Sequence, residues 1–232
     1  NAQGKGLEQH EILKVQLMRG EKEQDYLTHI WNLTSMMDHP IIAKEEDQDE
    51  ACYRQFYEEA ISLCRQKRFH EVLEKCRYTS LDDEEEYSID VIQPEKIEFK
   101  QNSYEDGENS IISFPEFLLL VLDVCTGGEQ PASHYQPDKL IEKFDALKTY
   151  FTAGEFYEKM LYYRLLLDYY TIRRDIKDGQ GNYSLILKGP KDDSDKLKQY
   201  QSMLYVSTEA FYNWLKPYLR KLEQDELHSC AE

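Results

Sequence analysis

The sequence predicts a mainly α fold, a multi-helix bundle of about eight helices with one or two short β pieces. The first observation is that apolar residues recur at spacings of three and four through most of the 232 residues. The second is that the alternating pattern of a strand is confined to short segments near glycine or proline. We therefore expect one helical domain over residues 1–232, which buries about 70% of the surface that the unfolded chain exposes.

Four helices are predicted in the first third of the chain. Gly20 ends the first, because glycine accepts the left-handed conformation that often follows a helix. Pro40 ends the second, because the residue before a proline avoids the helical region. The third begins with acidic side chains and ends with Arg65, Lys67 and Arg68, an order that suits the helix dipole. The predicted ranges are 8–19, 22–38, 44–66 and 69–77.

Residues 81–110 differ in character from the helices on either side. Asp82–Glu86 is a run of five acidic residues. Ser88–Val91 and Lys96–Phe99 have the pattern of short strands, and a polar loop follows from Asn102 to Asn109. We interpret the whole stretch as an acidic insertion or linker that contains at most a small hairpin.

The second half returns to helical periodicity. Ser113 and Glu116 form the capping box that marks a helix start, and the apolar run Phe117–Leu122 indicates that this helix is central. The longest predicted helix contains Arg164 and Asp168. Because a buried charge needs a partner, we predict either an ion pair between them or contacts between packed helices, and a functional polar centre is the alternative. The remaining predicted elements are helices over 139–147, 155–176, 194–205 and 208–222 and a short strand over 183–187.

The charge of the chain argues against a direct nucleic-acid interface. The formal net charge is −17, and an acidic surface repels phosphate backbones. The basic residues Arg173, Arg174 and Lys177 are expected near the end of a helix, where cations offset the dipole; a phosphate or DNA contact is the alternative. The six histidines are scattered singly, and the acidic runs lack the spacing of a calcium loop. We predict no catalytic residue and no metal site in this chain.

Cysteine usage and hydropathy indicate a cytoplasmic protein. The five cysteines include no Cys-x-x-Cys pair, which favours reduced thiols over a zinc site or a disulfide framework. No stretch reaches the roughly 18 consecutive apolar residues that a membrane span needs. We therefore expect no membrane association.

Five short segments resemble, in the same order, segments of GmrSD-type proteins. The opening segment N-A-Q-G-K-G-L-E-Q-H-E-I-L-K is the most specific, and it resembles the family pattern N-x-[RQ]-G-x-x-L-x-x-H-E-[IV]-[LV]-K. The other four are Phe114–Leu119, Lys139–Phe144, Tyr163–Asp168 and Gln201–Ser207. Together they extend the resemblance over nearly the whole chain.

The resemblance implies a function for the protein from which this chain comes. GmrSD-type proteins begin with a ParB/sulfiredoxin-like domain that binds and cleaves nucleotide, and many carry a nuclease domain of the HNH type. They act in restriction of modified foreign DNA and in defence against phage. This chain contains neither a candidate Gln-Arg nucleotide motif nor an HNH-like histidine cluster. The resemblance therefore implies a fragment, the helical part C-terminal to the nucleotide-binding domain, with NTP and a divalent metal belonging to the full protein.

The resemblance also implies a candidate binding edge at the start of the chain. In the family this segment follows the last strand of the nucleotide-binding domain, and a glycine-containing turn before a helix can offer N–H groups to a phosphate. Asn1, Gln3, Gly4 and Lys14 are the candidate edge of that pocket. The alternative is a structural junction in which Lys14 forms a salt bridge.

These expectations define a set of partners and three competing roles. The implied partners are the preceding nucleotide-binding domain and a nuclease domain or another protein. The implied role is a non-catalytic accessory domain that couples nucleotide binding to restriction of modified or phage DNA. A stand-alone helical adaptor that binds proteins through its 18 tyrosines is the alternative, and an enzyme with its own pocket is a third hypothesis.

Overall fold

The computed structural model describes residues 8–42, 49–77, 107–177, 182–190, 194–207 and 210–229. These ranges contain nine α-helices and one three-stranded antiparallel sheet, so the prediction of a mainly α fold with short β pieces is confirmed. The predicted strands within 88–99 lie outside the described residues, as does the predicted insertion up to residue 106. The elements are α1 (Gln9–Met18), α2 (Gln24–Ser35), α3 (Glu50–Arg65), α4 (Phe69–Arg77), β1 (Gly107–Asn109), α5 (Phe114–Cys125), α6 (Leu140–Leu147), α7 (Ala153–Tyr170), β2 (Arg173–Ile176), β3 (Tyr183–Ile186), α8 (Ser194–Ser207) and α9 (Leu215–Ser229).

Helix α7 is the centre of the molecule. Twelve of its 18 residues are buried, among them the charged Arg164 and Asp168, which fits a helix that lies between other helices. Helices α2, α3 and α5 pack directly against it, and α9 contacts it as well. Thr152 begins the helix with a capping box, in which its hydroxyl accepts the Glu155 N–H at 3.2 Å while Glu155 accepts the Thr152 N–H at 2.7 Å.

Helix α5 confirms the predicted capping box and the predicted central position. The Ser113 N–H donates to the Glu116 carboxylate at 2.7 Å, and the residues from Phe117 to Leu122 are fully buried. The helix ends at Cys125, and Gly127 and Gly128, which follow shortly after it, have φ values of 102° and 76°. Because left-handed backbone is readily adopted only by glycine, this pair lets the chain turn sharply after the central helix.

The predicted long helix over 155–176 is wrong in its last third. Helix α7 ends at Tyr170, and residues Arg173–Ile176 form β2, the middle strand of the sheet. Strand β2 pairs antiparallel with β1 on one side and with β3 on the other. Two partner strands supply its backbone hydrogen bonds, and this tertiary pairing overrides the helical periodicity of the sequence. The predicted loop 102–109 likewise contributes its last three residues as β1.

The same finding corrects the interpretation of the second basic cluster. Arg173 and Arg174 lie on strand β2, and Lys177 follows it, so they do not cap a helix. The first basic cluster lies at the end of α3, with Arg65 in its last turn, while the Arg65 side chain donates to the Tyr162 hydroxyl and Arg68 pairs with Glu71. Lys67 follows with a left-handed φ of 58°, as expected of a residue just beyond a helix end.

Further helix boundaries differ from the sequence prediction. Helix α2 covers Gln24–Ser35 and not 22–38, so it ends five residues before the proline that was expected to stop it, and α9 continues to Ser229 and not to 222. Helix α3 is described from Glu50 onward, while residues 43–48 lie outside the described part. The last helix starts at Leu215 and not at 208, because residues Phe211–Asn213 form a 3₁₀ turn first. Over the residues that the structure describes, no helix is both long and apolar enough to cross a bilayer.

Candidate functional site

Lys14 is the one member of the predicted nucleotide edge that the structure describes. Asn1, Gln3 and Gly4 lie outside the described residues. The Lys14 ammonium donates a hydrogen bond to the Asn32 side-chain oxygen at 3.0 Å, which ties α1 to α2. Burial lowers the pKa of this ammonium, and the neighbouring Glu11 opposes that shift. Whether Lys14 also borders a nucleotide pocket stays a prediction.

A second contact fixes α1 to the start of α6. The Gln9 side-chain amide donates to the Asp138 carbonyl, and its oxygen accepts the Ile141 N–H at 3.1 Å. Leu13 and Leu17 are buried beneath these polar contacts. Helix α1 is therefore held at its first turn by α6 and along its length by α2, so a displacement of its N-terminus would be passed to both.

A cleft of about 400 Å³ opens where α3, α5, α7 and α9 come together. Its volume lies within the range of small-molecule pockets, about 300–1,000 Å³. Aromatic side chains, including Phe69 and Tyr162, form part of its wall. Its charged lining consists of three cations and three carboxylates: Arg65, Lys67, Lys159, Glu155, Glu158 and Glu223.

The polar groups of this cleft contact one another. Lys159 forms a 2.6 Å ion pair with Glu223, whose second oxygen accepts the Tyr163 hydroxyl at 2.6 Å. The Arg65 guanidinium donates to the Tyr162 hydroxyl at 3.3 Å. Burial raises the pKa of the Glu158 carboxyl, and the nearby Lys67 opposes that shift. These contacts join α7 to α9 and to the last turn of α3 along the cleft.

Two cysteines line the cleft, and neither has the character of a nucleophile. Burial raises the pKa of the Cys64 thiol well above its usual range and that of Cys125 to about 12. A thiolate is the reactive form of cysteine, so both side chains are inert near neutral pH. They act as small apolar groups in the wall.

The predicted pair of Arg164 and Asp168 is the core of a larger buried network. The Arg164 guanidinium donates to Asp168 at 2.9 Å, and both side chains are fully buried. Arg173 forms a second ion pair with the same Asp168 oxygen. The other oxygen accepts the Ile41 N–H at 2.7 Å. Asp168 therefore accepts from three donors, and it links α7 to β2 and to the segment after α2.

Arg164 also caps the C-terminal end of α2. Its guanidinium donates to the carbonyl oxygens of Thr34 at 2.7 Å, Met36 at 2.8 Å and His39 at 2.7 Å. The last carbonyls of a helix have no partner within that helix and carry the negative end of its dipole. A buried cation at this place satisfies them, so the charge of Arg164 serves to join α2 to α7.

A second buried carboxylate, Asp123, organises the end of α5. It is fully buried, and it accepts the Gln130 N–H at 2.9 Å and the Lys216 ammonium at 2.8 Å. The Tyr135 hydroxyl donates to the same carboxylate. Burial and the adjacent Asp123 raise the pKa of Tyr135 well above its usual range. The Tyr135 ring stacks on Tyr212 at 4.4 Å between centroids, which brings the turn before α9 against α5.

The sequence analysis missed this cluster, although one signal was visible. Asp123 directly follows the apolar run Phe117–Leu122, and a charge at the edge of a central helix needs buried partners. The partners lie 12 and 93 residues away, at Tyr135 and Lys216, so no local spacing identifies them.

The described residues give no candidate metal site, since none of their His, Cys, Asp and Glu side chains cluster in groups of three or more with suitable geometry. Comparison with protein-family models, with curated proteins and with solved structures finds no match to this chain.

Proposed function

We propose that this chain is a non-catalytic helical accessory domain of a GmrSD-type protein. In that role it acts in the cytoplasm and couples nucleotide binding by a preceding domain to restriction of modified or phage DNA. NTP and a divalent metal then belong to other parts of the full protein. The motif resemblance motivates the family, and the polar contacts inside the helical body support the accessory role.

The observation that carries the proposal is the set of hydrogen bonds that the two buried carboxylates accept. Asp168 and Asp123 each accept hydrogen bonds from three groups of the chain itself. A general base must reach a substrate proton, whereas both of these carboxylates are buried and are engaged with donors of the chain itself. Both groups instead join elements that are distant in sequence, so their role is to stabilise the packing of those elements.

The attachment of α1 supports a coupling role. Gln9 and Lys14 lie on the segment that resembles the family junction, and both connect α1 to neighbouring helices. Coupling between two sites requires an element whose position both sites influence. Helix α1 has the position for it, because it contacts α2 and α6 at once.

A thermal-shift experiment tests the non-catalytic part of the proposal. The purified chain is melted with and without ATP or GTP and Mg²⁺. A ligand at 100 times its Kd stabilises the folded state by about 2.7 kcal/mol. For a chain of this size that amounts to a rise in Tm of roughly 5–10 °C. We expect a change below about 1 °C. A clear rise, or turnover of either nucleotide, contradicts the proposal.

The coupling part is tested in the full reading frame. We expect a nucleotide-binding domain upstream of residue 1, and we expect Gln9→Ala to lower phage restriction at least about tenfold, which corresponds to about 1.4 kcal/mol of coupling. Nucleotide binding by the same variant should be unchanged. Gln16→Ala is the matched control, because Gln16 is exposed on the same helix. Wild-type restriction by Gln9→Ala, or a reading frame without the upstream domain, contradicts the coupling role.

A further inference from the structure

The cleft beside α7 contains two charged side chains that its internal contacts leave without a counter-ion. Glu155 belongs to the capping box of α7, and Lys159 pairs with Glu223. Lys67 and Glu158 line the same cleft, and among the residues that the structure describes neither side chain forms an ion pair or a hydrogen bond. A few convergent polar groups in a pocket are what fix the orientation of a bound small molecule.

The backbone at Lys67 is a second and independent observation. Its φ of 58° is the one left-handed value of a non-glycine residue in the described part of the chain. Its N–H donates to the Cys64 carbonyl at 3.0 Å just beyond α3, at a position where glycine is the usual residue. Residues held in sparsely populated backbone conformations cluster at ligand sites. The helix end favours glycine here, so the lysine side chain needs an explanation other than the helix end.

The two unpaired groups lie within electrostatic reach of each other without being in contact. Burial raises the pKa of the Glu158 carboxyl, and Lys67 opposes that shift although the two side chains form no ion pair. A ligand of one sign would pair with one of these groups and be repelled by the other. A ligand that carries both an ammonium and a carboxylate gives each group an opposite charge. The pair therefore favours a zwitterion.

The charge balance of the whole lining supports the same class of ligand. Three cations and three carboxylates line the cleft, whereas the chain as a whole has 28 basic and 45 acidic residues. A phosphorylated ligand would bring several negative charges close to Glu155, Glu158 and Glu223, which repel them. A zwitterion has no net charge and matches a balanced lining.

Aromatic side chains indicate the rest of the ligand. Phe69, Tyr150, Phe151 and Tyr162 all line the cleft. Aromatic rings attract one another in stacked and edge-to-face arrangements, so this wall suits a ligand with a ring of its own. The volume of about 400 Å³ lies near the lower end of the range for small-molecule pockets, about 300–1,000 Å³. A ligand of amino-acid size fits that volume better than a larger one.

We propose that this cleft binds a free amino acid with an aromatic side chain. Glu158 accepts the ammonium group of the ligand, Lys67 pairs with its carboxylate, and the aromatic wall packs against its ring. The proposal does not depend on the accessory role proposed above, because that role requires no ligand in this cleft. The ligand has few atoms, so we expect a Kd of about 0.1–1 mM.

Titration of the purified chain with L-phenylalanine tests the ligand class. Calorimetry measures its binding, and ligand-observed NMR measures two weaker analogues. The first analogue, 2-phenylethylamine, lacks the carboxylate, and the second, 3-phenylpropionate, lacks the ammonium. Each leaves one charge of the cleft without a partner, so each should bind at least about tenfold more weakly than L-phenylalanine. The proposal is overturned by no binding of L-phenylalanine up to about 10 mM, or by equal binding of either analogue.

Two variants locate the binding site by their opposite selectivity. Lys67→Gly should weaken L-phenylalanine about tenfold and leave 2-phenylethylamine no weaker, because that analogue has no carboxylate. Glu158→Gln should weaken L-phenylalanine to a similar degree and leave 3-phenylpropionate no weaker. Lys177→Gly is the control and should bind as the wild type does, since Lys177 is 77% exposed and lies outside the lining. Wild-type binding by the first two variants, or an equal loss in all three, overturns the proposal.

Thermal unfolding without ligand separates a loss of binding from a loss of folding. Glycine adopts the left-handed backbone of position 67 without strain, so Lys67→Gly should raise the Tm by about 1–3 °C while it weakens binding. A variant that is more stable and binds less well shows that the lysine serves the ligand and not the helix end. A Tm that falls by more than about 2 °C would show the reverse and overturn the role assigned to Lys67.

Discussion

At the scale of single residues, the stability of this chain depends on where its buried charges find partners. Arg164, Asp168 and Arg173 are all buried, and their ion pairs join α7 to β2. Asp123 plays the same part between α5 and α9 through Lys216. Burying an ion pair costs free energy because both charges lose their hydration. Removing only one partner then lowers the stability strongly, since the other charge is left buried without a counter-charge.

Replacing Asp168 by Asn should therefore be severely destabilising. The change leaves Arg164 and Arg173 buried without their shared counter-charge, and we expect a loss of about 3–5 kcal/mol in the free energy of unfolding. Urea denaturation followed by circular dichroism measures it. Lys148→Ala is the control, because its pair with Asp145 is about half exposed and should contribute less than about 1 kcal/mol. Similar losses in both variants would contradict this account.

His134 should make stability depend on pH. Its side chain is buried and contacts the Leu119 carbonyl at 2.8 Å, and burial lowers its pKa from 6.5 in spite of that contact. The unfolded chain then takes up a proton first as the pH falls, so the contribution of His134 is present above pH 6.5 and is lost as the pH falls towards its folded-state pKa.

The measurement compares unfolding free energies at about pH 7.5 and pH 5.5, above the range in which most carboxylates titrate. We expect the wild type to lose more stability between these two values than His134→Gln does. If His134→Gln shows the full wild-type loss, His134 is not the group responsible.

At the scale of elements, helix ends and strand pairing decide how the chain is divided. Helices α5 and α7 both begin with a capping box, which the sequence displays as a Ser or Thr followed three residues later by Glu. Strand β2 has no such local signal, and its place is set by β1 and β3 on either side. Two glycines show a similar contrast between local and tertiary surroundings. Gly154 lies in the first turn of α7, and Gly189, which is distant in sequence, lies against the backbone near the end of that helix.

Gly154 and Gly189 should respond in opposite directions to replacement by alanine. A Cβ at Gly154 meets open space within helix α7, so Gly154→Ala should stabilise the fold by about 0.5–1 kcal/mol. A Cβ at Gly189 would collide with the backbone carbonyl of Tyr169, so Gly189→Ala should destabilise it by about 1–3 kcal/mol. Thermal and urea unfolding of the two variants measure both signs. A neutral Gly189→Ala would show that this close approach relaxes easily.

At the scale of the whole molecule, the net charge of −17 acts on stability as well as on association. Carboxylates spread over one compact surface repel one another, and unfolding relieves that repulsion by separating them. Salt screens exposed charges over about 8–10 Å near physiological strength, and it affects buried pairs much less.

Salt should therefore stabilise the folded chain. Between about 20 and 500 mM NaCl we expect the Tm to rise by roughly 2–5 °C, because the screened surface repulsion outweighs the exposed ion pairs that salt also weakens. The double variant Glu74→Lys and Glu129→Lys, at two exposed positions, should show a smaller rise. A Tm that falls with salt would mean that favourable ion pairs dominate the surface.

The candidate cleft and the buried networks depend on contacts that the local sequence pattern predicts only in part. The pairing of Arg164 with Asp168 was predictable, because both residues lie on one helix four positions apart. Its extension to Arg173 and the Asp123 cluster were not, because their partners come from other elements. The cleft could not be predicted either, since its lining comes from five helices and the turns between them.

The sequence by itself determined that this chain is mainly helical, where α5 begins, that a stretch near residue 117 is buried and that Arg164 pairs with Asp168. These features depend on residues within a few positions of one another, whose spacing fixes a helix face or a cap. The tertiary structure decided that Arg173–Ile176 is a strand, that Asp168 and Asp123 each accept from three donors, and that Met203 and Val206 of α8 are exposed. Those outcomes depend on which distant segments meet, because strand pairing, ion-pair networks and surface exposure are properties of contacts between elements.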